Sequence, residues 1–397
     1  MSEWKKVKLG DYCEITSSKR CLASVRSKNG IPFFCSKEII CLDKGEDFEP
    51  TDFIPEELYN DIKAKYGVPT GGDLLLTTRG TNGIPYIYKP SDKFYFADGN
   101  LSWFKNFGKE LSPQYLYYWF KSPLGIHEVD AISKGTAQKA VPIDGLRRIV
   151  LLTPSLHTQN RIVVILSRYD SLIENYQKQI KLLEEAAQRL YKEWFIDLHF
   201  PGHENTNIID GVPEGWEKKR LIDLVDAQYG YAFDGKLFNS SGEGMPILRI
   251  RNIPDGITSD YTTEEAQDCY IVHNGDIVVG MDGIFHINSW SGGDAYLVQR
   301  ACSFRPKEEC MKGFIFQAIQ EPIKFFEKTL VGATVAHLGK KHIDSIELCI
   351  PKNFELYKPF SKFYNQRQGL LSQIRLLTEA RDRLLPKLMS GEINVES

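Results

Sequence analysis

The 397-residue sequence lacks the features that mark membrane, secreted and zinc-binding proteins. It has no apolar run near the roughly 20 residues that a bilayer-spanning helix needs, and its first residues lack the charged and apolar regions of a signal peptide. The eight cysteines form no CxxC pair and show no Cys/His spacing of the zinc type. We therefore expect a cytoplasmic protein that has free thiols and no membrane partner.

Motifs for enzymatic chemistry are missing as well. The sequence has no GxxxxGK(S/T) phosphate-binding loop, no Asn-Pro-Pro or Asp-Pro-Pro element of an amino-methyltransferase, and no glycine fingerprint for a nucleotide cofactor. The histidines stand apart, and even His337 and His342 miss the spacing of one helical turn. Asp73 and Asp276 follow glycines, where a turn-forming role is expected. We predict no catalytic residues, no metal ligands and no cofactor-binding residues in this chain.

The net charge is small, although a quarter of the side chains are charged. A formal charge of -3 and a pI near 6.3 exclude a general polycation, so any contact with nucleic acid must come from a local basic cluster. Hydrophobic residues make up 42% of the chain, which is enough for two or three domains that each bury their own core.

What the sequence does contain is a tandem repeat. The pattern Ile-x-Leu-Leu-x-Glu-Ala-x-x-Arg-Leu occurs at residues 180–190 and again at 374–384, within helical segments that follow Pro154 and Pro351. Further matching elements are Trp4 and Trp216, Gly30-Ile31-Pro32 and Gly244-Met245-Pro246, and Gly72-Asp73 and Gly275-Asp276. A repeat of this kind predicts two similar lobes, each followed by a long helix.

Each half contains short strand signals broken by Gly and Pro and then a helix with apolar residues at 3.5-residue spacing, which indicates a coiled coil. We predict an α+β fold in which two long antiparallel coiled-coil helices separate two similar globular α/β lobes with pseudo-twofold symmetry. The predicted segments are a first lobe at residues 1–153, a central helix at 154–200, a second lobe at 201–350 and a C-terminal helix at 351–397.

Two arginines, Arg367 and Arg381, interrupt the apolar seam of the second helix. We expect them to pair with acids of the first helix such as Glu174 or Glu184, or to extend to solvent. A seam between two copies of the chain is the alternative, because heptads alone do not distinguish pairing within a chain from pairing between chains. The duplication favours a partner within the same chain.

Clusters of basic and polar residues recur at equivalent places in the two lobes. Arg, Lys, Asn and Gln suit base edges, and Lys or Thr beside Gly suits phosphate, so we predict DNA contacts here. For any one of these residues a solvated surface role is the alternative. The candidates in the first lobe are Lys19, Arg20, Lys37, Thr78, Arg79, Lys134, Thr136, Gln138 and Lys139. Those in the second lobe are Lys236, Arg249, Arg251, Asn252, Thr334, His337, Lys340 and Lys341.

Three stretches resemble the DNA-specificity subunits of type I restriction-modification systems: residues 190–197 (LYKEWFID), 212–216 (VPEGW) and 384–393 (LLPKLMSGEI). The resemblance covers nearly the whole chain. It implies two target recognition domains, each of which reads one half of a bipartite double-stranded DNA site. It also implies that the helices act as a spacer and dock two methyltransferase subunits. The candidate docking residues are Tyr191, Trp194, Phe195, Leu385 and Leu388.

The same resemblance implies a non-catalytic chain without a cofactor of its own. S-adenosylmethionine would bind to the methyltransferase subunits, and restriction/translocase subunits would complete the complex. The leading alternative is a coiled-coil scaffold whose lobes bind proteins. A second alternative is an enzyme with an unrecognised site, against which the missing motifs argue.

Overall fold

The computed structural model describes residues 4–46, 48–135, 139–330 and 336–395. The chain divides into two units: unit 1 comprises Met1–Glu174 and Leu377–Ser397, and unit 2 comprises Asn175–Leu376. The four segments drawn from the sequence stay a prediction, because these units cut across both long helices. Within the described ranges, no helix is both long enough and apolar enough to cross a membrane.

Unit 1 contains the first lobe. Its strands are β1 (Lys5–Lys8), β2 (Glu14–Thr16), β3 (Ile31–Phe34), β4 (Phe53–Ile54), β5 (Leu74–Thr77), β6 (Pro85–Ile87), β7 (Tyr95–Phe96), β8 (Leu101–Lys105) and β9 (Val150–Thr153). Its helices are α1 (Ser36–Lys44), α2 (Glu56–Tyr66), α3 (Pro113–Lys121), α4 (Pro123–Ile132), α5 (Ile143–Arg148) and the first half of α6 (Leu156–Tyr191).

The first lobe is organised around β5, whose residues are all buried. This strand lies in an antiparallel sheet of order β2-β8-β5-β6, and a second sheet of order β4-β3-β7 includes the parallel pair β3 and β7. Successive side chains of a strand point to opposite faces. Leu74 and Leu76 therefore pack in one cluster with Tyr115 of α3, whereas Leu75 packs in another with Phe34 of β3. Apolar residues on both faces thus place β5 between two layers.

Unit 2 contains the second lobe. Its strands are β10 (Ile208–Ile209), β11 (Val212–Pro213), β12 (Trp216–Arg220), β13 (Val225–Tyr229), β14 (Phe238–Asn239), β15 (Met245–Leu248), β16 (Tyr261–Thr262), β17 (Ile271–Val272), β18 (Ile277–Gly280), β19 (Ile287–Ser289), β20 (Ala295–Leu297), β21 (Ala301–Pro306) and β22 (Glu347–Pro351). Its helices are α7 (Leu221–Leu224), α8 (Lys312–Ala318), α9 (Gln320–Thr329), α10 (Lys340–Asp344) and most of α11 (Lys358–Ser390).

The second lobe repeats the topology of the first. Its main sheet has the order β13-β21-β18-β19, and its second sheet, β14-β16-β15-β20-β17, includes the parallel pair β15 and β20. The buried strand β18 divides its side chains as β5 does: Ile277 and Val279 enter one cluster and Val278 the other. The predicted duplication of an α+β lobe is confirmed.

Both units fill the seam between the long helices with side chains of this chain. In unit 1, Ile162 and Leu166 of α6 share a buried cluster with Leu385, Leu388 and Met389 of α11. This arrangement supports the predicted pairing within one chain over a seam between copies.

The helices are antiparallel within unit 2. Glu184 of α6 pairs with Arg367 of α11, and Tyr191, further along α6, lies against Phe360, further back along α11, at 6.4 Å between ring centroids. The predicted ion pair of Arg367 with Glu184 is therefore confirmed. In unit 1, Arg381 donates to Asp170 at 2.8 Å, and Asp170 also accepts the hydroxyl proton of Tyr118 at 2.5 Å.

Candidate nucleic-acid interface

In the first lobe, backbone hydrogen bonds join three separate segments beside the end of β5. The N–H of Thr78 donates to the carbonyl of Asn100 at 2.8 Å, and the N–H of Val141 donates to the carbonyl of Thr78 at 3.0 Å. The start of α1 joins them, because the hydroxyl of Ser36 donates to the carbonyl of Arg79 at 3.0 Å. Segments that are far apart in sequence therefore meet at one place.

This junction displays cations. The side chains of Arg79, Lys37, Lys134 and Lys139 are exposed, and Arg79 and Lys134 both form backbone bridges with Ala140. Four of the predicted residues thus come from segments that meet there. Their positive charges lie where a phosphate backbone could be neutralised.

Lys19 and Arg20 lie on a neighbouring segment and are exposed. The backbone N–H of Lys19 donates to the hydroxyl of Tyr95 at 2.6 Å, and Arg20 lies 4.0 Å from Asp98, two residues before the Asn100 turn. An ion pair this long and exposed contributes little to stability, so the guanidinium of Arg20 stays available for a ligand.

The second lobe builds the same junction with different side chains. The N–H of Met281 donates to the carbonyl of Arg300 and the N–H of Leu338 to the carbonyl of Met281, both at 2.8 Å. Asp282 and His337 form the backbone bridge that corresponds to Arg79 and Ala140. The frame is shared by the two lobes, whereas the residues displayed on it differ.

The loop after β15 corresponds to the start of α1. The backbone N–H of Arg249 donates to the side-chain oxygen of Asn252 at 2.9 Å, as the N–H of Cys35 donates to Glu38 at 2.8 Å. A concave surface of about 440 Å³ lies beside this loop. Its polar lining residues are Arg249, Arg251, His286, Gln299 and Arg300.

The arginines of this concave surface differ in what already engages them. Arg251 donates from Nε and a terminal nitrogen to Asp260, at 3.1 and 2.5 Å. These hydrogen bonds raise the pKa of Arg251 and lower that of Asp260. Arg249 instead lies over the ring of Phe238, 5.3 Å from its centroid. Two of the three guanidinium nitrogens of Arg251 are thus already hydrogen-bonded within the lobe.

Two of the predicted contacts serve the lobe itself. Thr78 is only 3% exposed and its hydroxyl donates to the carbonyl of Gly99, and the Asn252 side chain caps the Arg249 turn. Both positions were chosen as polar residues beside Arg, but local hydrogen bonds hold their side chains. We retain them as untested predictions that this burial and bonding disfavour.

The remaining predictions fall into two groups. Lys236, Lys340 and Lys341 are exposed, and His337 is half-exposed with Nδ1 at 2.5 Å from Asp282. Thr136, Gln138 and Thr334 lie outside the described residues. Sequence reasoning missed Gln299 and Arg300, because they follow a strand that carries no basic run. Aligning Asn100 with Arg300 through the repeat would have found them.

The predicted docking residues are largely internal. Phe195, Leu385 and Leu388 are buried in the clusters of their own units, and Tyr191 and Trp194 pack against one of those clusters. Side chains this buried have little surface to offer a partner, so the structure does not support direct docking through them. Their predicted role stays untested.

The described part of the chain contains no group of three or more His, Cys, Asp or Glu side chains that could hold a metal ion. Its two lobes instead display basic and polar side chains on one shared backbone frame. Such basic and polar surfaces are typical of proteins that recognise nucleic acid.

Comparison with known proteins gives the family. The family model of the type I restriction modification DNA specificity domain matches residues 1–185 and 213–375. The chain therefore belongs to this family: it is a sequence-specific DNA-recognition subunit of the type I restriction-modification class and has no catalytic activity of its own.

Individual relatives agree with this assignment. The chain is 28% identical over 314 residues to the type I restriction enzyme MjaIX specificity subunit of Methanocaldococcus jannaschii, covering 71% of this chain and 69% of that protein. It is 24% identical to the MjaVIII specificity subunit of the same organism, covering 100% of this chain and 94% of the relative. The crystal structure of the type I restriction-modification S subunit from M. genitalium has the same fold, with a TM-score of 0.56 at 18% identity over 98% of this chain and 96% of that one.

Proposed function

We propose that each lobe reads one half of a bipartite duplex site. Lobe 1 would use the junction around Arg79 and Asn100, and lobe 2 the concave surface around Arg249 and Arg300. The supporting observation is that one hydrogen-bonded frame, repeated in both lobes, carries different side chains. A constant frame with variable polar side chains suits two readers of different base sequences in the major groove.

The proposal separates the roles of the two lobes, and exchanging one lobe tests it. Replacing residues 1–153 by the first lobe of another specificity subunit should change one half-site and leave the other unchanged. The modified bases in DNA from a host that carries the chain with its methyltransferase partner report both half-sites. A change in both half-sites would contradict independent reading.

We propose that the paired helices set the distance between the half-sites. α6 has 36 residues and α11 has 33, so at 1.5 Å per residue each extends about 50 Å. Removing seven residues from each helix should shorten the spacer by about 10 Å. This length corresponds to about three base pairs at 3.4 Å each.

A suitable double deletion removes residues 173–179 of α6 and 372–378 of α11, because the ion pairs of Arg367 and Arg381 lie outside it. The matched control inserts one heptad in each helix, which should lengthen the spacer by the same amount. The unmodified spacer between methylated half-sites is the reference. A spacer that stays constant in both variants would refute the proposal that the helices set the distance between the half-sites.

We propose that two methyltransferase subunits dock on the helices and carry S-adenosylmethionine, so that this chain needs no cofactor. Leu182 and Leu376 support this proposal: they occupy equivalent positions in the repeat and are 64% and 56% exposed. Two equivalent apolar positions suit two copies of one partner. Restriction/translocase subunits would complete the assembly in the cytoplasm.

Leu182→Asp should remove one methyltransferase subunit from the complex, and Leu182→Asp with Leu376→Asp should remove both. Arg189→Ala is the control, since this side chain is 81% exposed and pairs with Glu185 one turn earlier. Native mass spectrometry of the assembled complex counts the subunits. Unchanged stoichiometry in the double variant would contradict docking at these positions.

A coiled-coil scaffold whose lobes bind proteins is the alternative function, and the family assignment does not favour it. Selection of bound duplexes from a random library separates the two functions. The full chain, with and without a methyltransferase partner, should enrich a bipartite sequence.

A further inference from the structure

Arg300 has an unusual backbone conformation. Its φ is +74°, in the left-handed region that favours glycine. The turn persists because the Arg300 carbonyl accepts the N–H of Met281 at 2.8 Å and because β21 begins at the next residue. A non-glycine residue held in this region makes the position a candidate for a role of its side chain.

Asp282 lies beside the side chain of Arg300. Its Oδ2 atom lies 3.4 Å from Nε of Arg300, while its Oδ1 atom lies 2.5 Å from Nδ1 of His337. The carboxylate thus lies between the guanidinium of Arg300 and the imidazole of His337 and is only 27% exposed. A carboxylate repels DNA phosphates, whereas its contacts with Arg300 and His337 suit it to position these neighbours.

The terminal nitrogens of Arg300 remain available. Among the residues that the structure describes, they have no hydrogen-bond partner, and the side chain is 51% exposed beside Gln299. Arg251 on the same surface differs, because Asp260 already engages its fork. Arg300 therefore lies beside a carboxylate at Nε and keeps its terminal donors free, an arrangement that lowers the cost of orienting the side chain for a specific contact.

The two lobes differ at this position. Asn100 occupies it in lobe 1, where its carbonyl accepts the N–H of Thr78 at 2.8 Å as the Arg300 carbonyl accepts the N–H of Met281. Asp282 corresponds to Arg79 by the same backbone bridges. Variation on a constant frame is expected of a residue that determines which base is read.

We infer that Arg300 reads a guanine in the half-site of lobe 2 and that Asp282 is its positioning residue. This inference rests on the proposed function of the lobes. The terminal nitrogens of an arginine match the O6 and N7 acceptors of guanine in the major groove, and this pairing is the commonest specific contact of arginine with DNA. Because Asp282 lies beside Nε, the two terminal nitrogens are the donors left for the base.

Selection of duplexes from a random library by the full-length chain tests the inference, with the half-site of lobe 1 as an internal reference. Arg300→Gly removes the side chain and suits a positive φ, so the turn should survive. It should lower the preference for guanine at one position by about 5-fold to 150-fold. The other positions of both half-sites should stay unchanged.

Arg300→Lys separates a base contact from a phosphate contact. Lysine keeps the charge but lacks the paired donors of the guanidinium. If Arg300 contacts guanine, the lysine variant should lose most of the preference for guanine while overall affinity falls less. The slope of log affinity against log salt should stay unchanged in Arg300→Gly, whereas loss of a phosphate contact would reduce it by about 1. Asp282→Asn should weaken discrimination at the same position only.

Arg220→Ala is the matched control, because this exposed arginine also pairs with an aspartate, Asp223, but does not line the concave surface. It should leave every position unchanged. If Arg300→Gly keeps the guanine preference, or weakens all positions together, the inference is overturned. If the unmodified chain enriches no sequence at all, the proposed function itself fails.

Discussion

Replacing Arg367 should destabilise the second lobe by about 3 kcal/mol, because its guanidinium ties α11 to β19. Arg367 is 7% exposed and donates to Glu184 at 2.5 Å, to Asn288 at 2.7 Å and to the hydroxyl of Ser289. In Arg367→Met the two buried acceptors lose a charged donor, at about 1.5–3 kcal/mol each. The lower limit applies, since Asn288 keeps the N–H of Ser289 as a second donor at 2.8 Å.

The ion pair with Glu184 contributes less to the stability of the lobe than the buried hydrogen bonds of Arg367. Its side chain is 43% exposed, so water replaces the lost partner and Glu184→Gln should cost less than about 1 kcal/mol. Comparing Glu184→Gln with Arg367→Met therefore separates the ion pair from the buried hydrogen bonds. Arg367→Lys should fall between them, because one ammonium cannot replace three directed donors.

Native-state hydrogen exchange with peptide resolution measures the effect locally. A loss of 3 kcal/mol corresponds to about 150-fold faster exchange in the peptides of β18 and β19 when they open by unfolding of the lobe. Peptides of β5 in unit 1 serve as the internal control. Acceleration of less than about 5-fold, or about 1 kcal/mol, would refute the assignment of Arg367 as a buried anchor.

Three further outcomes follow from the structure. The pKa of Asp260 is lowered from 3.8 by its hydrogen bonds to Arg251, so its contribution to stability is fully present above pH 3.8 and is lost as the pH falls through the lowered pKa of the folded state. In guanidinium unfolding, the difference between Asp260→Asn and the parent should be largest near pH 7 and should shrink as the pH falls below 3.8; a difference that does not shrink would contradict the pairing. Burial raises the pKa of Cys13 to about 12 and also raises that of Cys302, whereas Cys269 is exposed. Iodoacetamide should therefore label Cys269 first, as measured by peptide mass spectrometry. Early labelling of Cys302 would contradict its burial. DNA affinity should fall steeply as salt rises from 50 to 200 mM, on the order of 10³-fold or more for six or more phosphate contacts, and a flat titration would exclude phosphate-driven binding.

The helices could be predicted closely because their signal is local and periodic. Ile180 and Ala187 stand one heptad apart and are both buried. Pairing of Arg367 with Glu184 was among the outcomes that the sequence predicted, because a charge on an apolar seam either pairs with an acid across the seam or extends to solvent. The bonds of Arg367 to Asn288 and Ser289 could not be predicted, since β19 approaches the helix only through the folding of the lobe.

The candidate site could be predicted only in part. Arg79 and Lys134 were identified as basic residues, but nothing in their spacing shows that both meet Ala140. Arg251 is a basic residue beside polar ones, as Arg249 is, yet the carboxylate of Asp260, nine residues later, already accepts hydrogen bonds from its guanidinium. Composition therefore finds candidates, and the hydrogen-bond partners decide which of them remain available.

By itself, the sequence determined the duplication, the two helices with their apolar seam and the family, because each is written in short-range patterns that survive without knowledge of contacts. The tertiary structure alone decided which turns come together beside β5 and β18 and which arginines keep free donors. Those properties depend on long-range backbone hydrogen bonds and on burial, and neither leaves a periodic trace along the chain.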